Sequence, residues 1–465
     1  MVRLFCFLLG LIAVHAMANQ EYRAWLAAQQ RDFSHYVNQQ QIEFAKWLNQ
    51  DWVQADSNVV APQVLPKPEQ LPILPFEPDI KQEHTLEPDF HSVIPEQPDI
   101  SVVPPAHSVK VDFYGLEPQF DIPPSLRKAV LTRAALSDWW NNMATAMDPQ
   151  LLRSLAAFKQ AYYLNDWDML FFLEQLSKQL FRQPKAQTAW TWFIGIQMEM
   201  DLRLLETGDQ WFIGYNSLQV PVAIPYVTLG QKRYFMFAVR DQSLRQVKTY
   251  PEFSGFDQLQ PLNMQQNSRL YLGEQWRNRE IDFSFNHSQW HMTLPYNVYR
   301  VEHTKVYPQL QLKDYLNTPW PQSLQDSVQQ QLQVWVGKMP EHERWEFLLA
   351  MVQQGFAYET DQQQFGKEKY LTAEEMLFYP YSDCEDRSYF LKGLLKAVAP
   401  ETIIGVRFPN HVALGVLDNN NDPDDYSVRL NGNVYVLLDP SYLNAGPGQL
   451  MPGLSKQTPE AIVLN

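Results

Sequence analysis

The sequence is poor in cysteine, with only Cys6 and Cys384 among its 465 residues. Cys6 lies in a short apolar run behind Arg3, and the Ala-Met-Ala at 16–18 fits the small-x-small pattern of signal cleavage, so residues 1–18 are predicted to be an export signal. The mature chain would then carry one thiol in an oxidising compartment, with no second cysteine for a disulfide. A cysteine left over in this way indicates intermolecular pairing or a reactive thiol.

Long apolar runs, an excess of basic residues and the common cofactor motifs are also absent. No stretch is long enough for a membrane helix, so no membrane span is expected. The net charge of -15 argues against nucleic acid or anionic lipid as the main partner. No glycine-rich phosphate loop and no HExxH zinc pattern occurs. These absences predict a soluble periplasmic or secreted protein that uses neither nucleotides nor a helical zinc site.

The chain divides into segments of different composition. Residues 19–56 are predicted to form an N-terminal amphipathic helix. Residues 57–108 are rich in proline, glutamate and aspartate, which favours an extended linker that buries little apolar surface. Helices followed by strands are predicted over 109–250, a β-rich domain over 251–319, and helices followed by strands again over 320–465. The predicted fold class is α+β.

The order of helices and then strands occurs twice, which indicates a degenerate internal repeat. Residues 193–241 track residues 390–439 in their apolar and glycine pattern. No cysteine precedes the helix of the first copy, and Gln210 or Trp211 stands near the position of His411. The first copy therefore cannot carry thiol chemistry.

The surroundings of Cys384 predict a helix that begins at this residue. Ser382 or Asp383 is a suitable N-cap, and Cys384, Ser388 and the leucines at 391 and 395 share one helical face. The free amide groups and the dipole of a helix N-terminus favour negative charge on sulfur, which is the reactive form of a thiol. We therefore expect a lowered pKa for the Cys384 thiol.

A lone histidine and an aspartate follow on two predicted strands. If these strands pair antiparallel with His411 opposite Asp439, residues 413 and 437 and residues 415 and 435 also pair, and the opposed Cβ atoms lie about 4.5–5.5 Å apart. Asp439 would then orient an imidazole that takes the proton of Cys384. Each residue alone has an ordinary interpretation, as a small core residue, a surface histidine or a turn former. The three in one consistent pattern strengthen the case for catalysis, but the residues alone leave both interpretations open.

The residues around this trio resemble the transglutaminase-like superfamily of papain-like cysteine enzymes over about residues 320–452. The resemblance implies Cys384 as nucleophile, His411 as base and acid, Asp439 as orienting carboxylate, and an oxyanion hole that uses the Cys384 amide. Ser382 stands where the family often has glycine. The tandem order with a degenerate first copy is similar to an exported bacterial group of this superfamily. The matching motifs are Phe356-Ala-Tyr-Glu-Thr-Asp361, Gln364-Phe-Gly-Lys-Glu-Lys369, Asp383-Cys-Glu-Asp-Arg-Ser388, Asn410-His-Val-Ala413 and Leu438-Asp-Pro-Ser-Tyr-Leu-Asn444.

The resemblance implies an enzyme that acts on an amide or peptide bond through a thioester acyl-enzyme, with a protein or peptide of the cell envelope as substrate. Hydrolysis, as in a peptidase or amidase, is favoured over transfer to an amine. Two alternatives remain open. In the first, the fold serves as a binding scaffold without catalysis. In the second, the chain is a structural envelope protein that is attached through its N-terminal helix and proline-rich arm.

No cofactor is predicted, and calcium is the one alternative. Asp418, Asn420, Asp422 and Asp424 offer oxygens at alternating positions, as calcium loops do. The glycine at the sixth position and the distal glutamate are missing, and Arg429 falls where the glutamate would stand. A solvated hairpin loop is therefore the favoured interpretation, although the resemblance keeps calcium open because some relatives in the superfamily use it.

Overall fold

The structure is a computed structural model that describes residues 39–61, 67, 70–74, 79–87, 107–239, 243–256, 258–399, 401–418 and 422–464. The predicted signal peptide and the first half of the predicted N-terminal helix lie outside these residues. Helices and strands are mixed along the described chain, which confirms the α+β class. No helix in the described ranges is long and apolar enough to cross a bilayer.

The secondary structure runs in two helix-then-strand series, joined by a long hairpin. The helices are 39–47 (α1), Leu136–Ala146 (α2), Pro149–Ala161 (α3), Asp166–Leu180 (α4), Pro184–Gln197 (α5), Val298–Val306 (α6), Leu312–Leu316 (α7), Gln322–Val336 (α8), Glu341–Gly355 (α9), Asp361–Phe365 (α10), Ala373–Phe378 (α11) and Cys384–Val398 (α12). The strands are Val53–Ala55 (β1), Asn58–Val59 (β2), Gln82–Leu86 (β3), Ser108–Lys110 (β4), Gln119–Asp121 (β5), Leu202–Thr207 (β6), Gln210–Tyr215 (β7), Pro225–Leu229 (β8), Lys232–Met236 (β9), Val247–Thr249 (β10), Trp276–Phe285 (β11), Ser288–Asn297 (β12), Ala357–Tyr358 (β13), Tyr381–Ser382 (β14), Ile403–Phe408 (β15), His411–Leu417 (β16), Ser427–Leu430 (β17), Asn433–Leu438 (β18) and Glu460–Val463 (β19).

The first series packs helices against an antiparallel sheet of order β1-β10-β6-β7-β9-β8-β2. Helix α5 is apolar nearly all round, as expected for a helix enclosed by other elements. Its Trp190 and Trp192 are fully buried with Trp140 of α2. Phe44 of α1 contacts Trp140 edge to face at 4.7 Å. The described part of the predicted N-terminal helix therefore packs on the body of the protein through this aromatic core.

The hairpin of β11 and β12 belongs to the core of the second series. Its inward side chains, among them Ile281 and Trp290, share one hydrophobic cluster with α8, α9 and α12. Strand β3, from the predicted linker, pairs parallel with β12 as a third strand. The sequence pattern predicts a strand from Val298, which is wrong. Asn297 accepts a hydrogen bond from the Tyr299 amide at 3.0 Å and so begins helix α6 instead.

The second series places α12 against a sheet of order β17-β18-β16-β15-β19, while α8 and α9 pack on α12 and on the hairpin of β11 and β12. Helix α12 is buried along almost its whole length. Such a helix has little freedom to shift, so the residue at its N-terminus is held in a fixed position relative to β16. That residue is Cys384.

The two sheets share one topology. Strands β6 to β10 have the same spatial order and antiparallel pairing as β15 to β19. Gly214 packs against Tyr234 in the first sheet as Gly415 packs against Tyr435 in the second, since a Cβ on either glycine would lie 3.1 or 3.0 Å from the Cβ of its tyrosine. These equivalent contacts align the two copies. On this alignment Gln210 corresponds to His411 in the second copy. The membership of the first copy in the transglutaminase-like group stays a prediction.

The same alignment changes which residue of the first copy corresponds to Asp439. Asp439 lies four residues after Tyr435, and the residue four after Tyr234 is Ala238. Asp241, which tracks Asp439 in the sequence pattern, lies outside the described residues. The first copy thus has an alanine where the second has its carboxylate.

Candidate active site

Cys384 is the first residue of α12, as the sequence predicts. Asp383 is the N-cap and forms a capping box with Asp386, whose carboxylate accepts the Asp383 amide hydrogen at 3.3 Å. The choice left open between Ser382 and Asp383 is therefore settled for Asp383. The Cys384 side chain is fully buried.

His411 and Asp439 form a buried hydrogen-bonded pair. His411 Nε2 lies 2.9 Å from Asp439 Oδ2, and both side chains are excluded from solvent. The other carboxylate oxygen, Oδ1, accepts the Ser441 amide hydrogen at 2.9 Å. Both oxygens of Asp439 are thus occupied, which fixes the carboxylate and, through it, the ring.

The predicted strand register is wrong by two residues. Gly415 pairs with Leu437 and Leu417 pairs with Tyr435, whereas the prediction opposed residues 415 and 435. A shift of two residues keeps every side chain on its predicted face, because side chains alternate with a period of two. His411 therefore reaches Asp439 diagonally across the ladder.

Cys384 makes no hydrogen bond with this pair, although it begins a helix that packs on β16. One turn along α12, Ser388 Oγ donates to Val412 O at 3.0 Å, which packs the start of the helix against the start of β16. The Cys384 thiol instead donates to Glu385 Oε2 at 3.0 Å. His411 Nδ1 is buried and has no hydrogen-bond partner among the described residues. The structure therefore forms the imidazole–carboxylate bond of the predicted trio and leaves the thiol–imidazole bond unmade.

The pKa of the Cys384 thiol is raised well above its ordinary value. Burial is the main cause, and the neighbouring carboxylates of Glu385 and Asp383 add to it, while Lys67 acts in the opposite direction. The expectation of a lowered pKa is wrong for this form of the protein. The dipole of the helix does not compensate for desolvation and two adjacent acidic groups.

Four carboxylates surround an ammonium group beside Cys384. Lys67 Nζ lies 2.5 Å from Asp383, 2.6 Å from Glu385, 3.1 Å from Glu368 and 3.3 Å from Asp361. The contacts with Asp361 and Asp383 are hydrogen bonds, and the other two are ion pairs. The Lys67 side chain is only 2% exposed, although the residue comes from the proline-rich segment. These four acidic residues are called the acidic cluster below.

One ammonium cannot neutralise four carboxylates. Burial would lower the pKa of Lys67, but the carboxylates outweigh it and the pKa is raised. Burial raises the pKa of Asp361 to about 8 and that of Asp383 to about 7, and repulsion from neighbouring carboxylates acts in the same direction. Protons as well as the Lys67 ammonium therefore offset the charge of the cluster near neutral pH.

The acidic cluster also offers metal ligands. Three groupings of described residues have ligand atoms close enough to share an ion: Asp383 with Cys384 and Glu385, Asp361 with Asp383 and Asp386, and Asp361 with Glu368 and Glu385. The Lys67 ammonium contacts all three carboxylates of the last grouping. Buried carboxylates fit a hard cation such as calcium.

The predicted calcium loop is not among these groupings. Asp422 Oδ1 accepts the Asp424 amide hydrogen at 3.0 Å, an ordinary turn interaction. Asp418 is buried at the end of β16. Asn420 lies outside the described residues, so calcium binding by this loop stays a prediction.

Two buried side chains, one from α9 and one from α12, hold the loop after Asp439 in place. Gln353 of α9 donates to Asp439 O and Ala445 O, both at 3.0 Å, and accepts the Asn444 amide hydrogen at 2.9 Å. Arg387 donates to Pro440 O at 3.3 Å. Sequence reasoning missed both residues, since a buried glutamine or arginine in a helix carries no distinctive pattern.

Part of the proline-rich segment crosses this site. Lys67 and residues 70–74, called the strap below, extend from the start of α12 to the loop after Asp439. Leu443 donates its amide to Pro72 O at 3.2 Å and accepts the Leu74 amide hydrogen at 3.0 Å. The sequence predicts only a linker here. The available signals were the Pro-Lys-Pro at 66–68 and the dense acidic run around Cys384.

Alkylation of Cys384 tests the burial of the thiol. A raised pKa leaves little thiolate at a given pH, so iodoacetamide should react with the folded protein at least ten times more slowly at pH 8.5 than with the same protein unfolded in urea, where a thiol has a pKa of about 8.5. Both rates are obtained by mass spectrometry, from the fraction of Cys384 that carries the adduct at each quenching time. Equal rates in the two states would contradict the closed geometry.

Comparison of the chain with models of known protein families, with curated proteins and with solved structures returned no match in any of the three. The resemblance to the transglutaminase-like superfamily therefore stays an expectation from the motifs around Cys384, His411 and Asp439.

Proposed function

We propose that this chain is an exported cysteine enzyme of transglutaminase-like type, in which Cys384 attacks an amide or peptide bond. The observation that carries the proposal is the buried pair of His411 Nε2 and Asp439 Oδ2 at 2.9 Å, with His411 Nδ1 left without a hydrogen-bond partner among the described residues. A ring held at one nitrogen and unpartnered at the other suits a group that accepts a proton.

The chemistry follows from these positions. His411 Nδ1 takes the thiol proton while the sulfur of Cys384 bonds to the carbonyl carbon. The amide of Cys384 lies in the first helical turn, where amides lack an intrahelical acceptor, and it stabilises the oxyanion. The carbon–nitrogen bond breaks, the amine leaves with the proton from His411, and a thioester remains. Water then gives a proton to His411 and its oxygen to the carbon, the carbon–sulfur bond breaks, and the thiol is restored.

The described form suits a closed state of such an enzyme. The thiol donates to Glu385 rather than to His411, and the strap covers the site. Rotation of the thiol toward Nδ1, with displacement of Lys67, would give the reactive arrangement. We take the substrate to be a protein or peptide of the cell envelope, with hydrolysis favoured over transfer and no cofactor required.

Trapping of the thioester tests this proposal. The protein is incubated with peptides from an envelope digest, quenched in acid and examined for peptide adducts on Cys384 by mass spectrometry. Adducts should form on the parent chain, disappear on treatment with hydroxylamine and be absent from Cys384→Ala. Failure to find any hydroxylamine-sensitive adduct, with or without Lys67→Met to open the site, would reject the enzyme.

A non-catalytic scaffold is the second candidate, and the buried thiol favours it. Cys384 is fully buried, its pKa is raised, and it makes no hydrogen bond with His411. In a scaffold the Lys67→Met variant would alkylate only above the pH expected of a free thiol, because the substitution removes an ammonium that lowers the pKa of the Cys384 thiol. A shift of the alkylation profile to lower pH in that variant would favour the enzyme.

A further inference from the structure

We propose that the acidic cluster is a subsite for the lysine side chain of an extended peptide, and that the strap occupies it as an internal ligand. The description of the bound peptide as a substrate rests on the function proposed above. The description of the subsite as a lysine site rests on the geometry around Lys67.

The acidic cluster brings four carboxylates together in one buried place. Asp361, Glu368, Asp383 and Glu385 are held in one buried place by α10, by the segment after it and by the start of α12. Burying several like charges together is costly unless a cation joins them. Among the described residues, Lys67 is the cation that pairs with all four carboxylates, and it arrives from a segment about 300 residues away in sequence.

The acidic cluster offers more hydrogen-bond acceptors than the single Lys67 ammonium fills. An ammonium group has three donors and four carboxylates face it, so acceptor capacity exceeds what Lys67 fills. Asp383 Oδ1 and Ser382 Oγ are buried and have no hydrogen-bond partner among the described residues. Glu368 Oε1 and Glu385 Oε1 are also buried without a hydrogen-bond partner among the described residues, and they face the Lys67 ammonium at 3.1 and 2.6 Å. A compact ammonium on a flexible stem suits such a recess.

The strap binds to the loop after Asp439 through main-chain atoms. Pro72 and Leu74 bond to Leu443 through main-chain atoms, and Asn444 Nδ2 donates to Leu74 O at 2.7 Å. Main-chain bonds of this kind accept any extended peptide, while a side-chain pocket supplies the selectivity. The strap therefore binds as a peptide ligand would, with a general backbone contact and one specific side chain.

The proposed subsite includes the two residues that flank Cys384 in the sequence. Asp383 and Glu385 are the residues on either side of Cys384. A peptide whose lysine enters the acidic cluster would therefore bring its neighbouring peptide bonds to the thiol. Because the strap is part of the same chain, its high effective concentration keeps external peptides out until it is displaced.

Peptide binding to a strap variant tests the inference. Lys67→Met removes the internal ammonium, and Lys81→Met is the matched control, since Lys81 is exposed and pairs only with Asp79 among the described residues. The probes are the acetylated and amidated peptide Leu-Pro-Lys-Pro-Glu-Gln-Leu-Pro-Ile-Leu, the sequence at 65–74, and its counterpart with norleucine in place of lysine. Calorimetry should show that Lys67→Met binds the lysine peptide at least tenfold more tightly than the norleucine peptide. Lys81→Met should bind the lysine peptide at least tenfold more weakly than Lys67→Met does.

Equal binding of the two peptides, or no binding to folded Lys67→Met, would overturn the inference. Calcium is titrated in parallel. Calcium binding to Lys67→Met that displaces the lysine peptide at micromolar concentration would identify a metal site in place of a lysine subsite.

A measurement on the unchanged protein covers the case in which Lys67→Met fails to fold. Millimolar lysine peptide should displace the strap and raise acetylation of Lys67 by excess N-hydroxysuccinimidyl acetate several-fold, while Lys81 labelling stays constant. The norleucine peptide should have no such effect, and unchanged Lys67 labelling with both peptides would refute the inference.

These readouts separate the two proposals. Binding of the lysine peptide without any thioester on Cys384 would retain the subsite and reject the enzyme. Thioester formation without preference for lysine would retain the enzyme and reject the subsite.

Discussion

Asp439→Asn is expected to slow acyl-enzyme formation by about 10³–10⁴-fold, the scale seen when the orienting carboxylate of a catalytic triad is neutralised. Asparagine keeps the size of the side chain, but its amide nitrogen donates where Asp439 Oδ2 accepts from His411 Nε2. The ring would then carry its proton on Nδ1 and could not take one from Cys384. The measurement is the rate of thioester formation with a fixed peptide pool.

Asp121→Asn is the matched control, because Asp121 is exposed on β5 and should leave the rate unchanged. Thermal unfolding of both variants shows whether a loss of rate reflects a loss of structure. A rate for folded Asp439→Asn within threefold of the parent would remove Asp439 from the mechanism.

Gln353→Ala is expected to lower the free energy of unfolding by about 3–5 kcal/mol. The substitution leaves the Ala445 carbonyl and the Asn444 amide without partners, and each unpaired buried group costs about 1–3 kcal/mol. The Asp439 carbonyl loses its 3.0 Å bond and keeps only the Tyr442 amide at 3.4 Å. Urea unfolding followed by circular dichroism gives the value. Because the lost bonds hold the loop that carries Asp439, thioester formation should fall as well.

Gln330→Ala, on the exposed face of α8, is the control and should change stability by no more than about 0.5 kcal/mol. A Gln353→Ala variant as stable as this control would mean that solvent replaces the lost partners, and that the loop does not depend on α9.

The helix at Cys384 and the pairing of His411 with Asp439 were predictable because their signals are local. An acidic cap before an apolar face with helical spacing predicts the start of α12. Alternation with a period of two predicts that His411 and Asp439 share a face of the sheet. The register was not predictable from alternation, because a shift of two residues leaves the pattern unchanged.

The state of the thiol was not predictable, because it depends on groups that the sequence does not bring together. A helix N-terminus predicts a lowered pKa, whereas burial together with Glu385 and Asp383 raises it. Which effect is larger depends on how much solvent reaches the sulfur. Solvent access is a property of the packed structure alone.

By itself, the sequence determined the α+β class, the helix that begins at Cys384 and the face that joins His411 to Asp439, since each follows from spacing within a short stretch of chain. Only the tertiary structure decided that Lys67 enters the acidic cluster and that the strap bonds to the loop after Asp439. A proline-rich segment has no periodicity to show where it binds, and the carboxylates that receive its lysine lie about 300 residues further along the chain. Contacts at that separation arise only when the whole chain has packed.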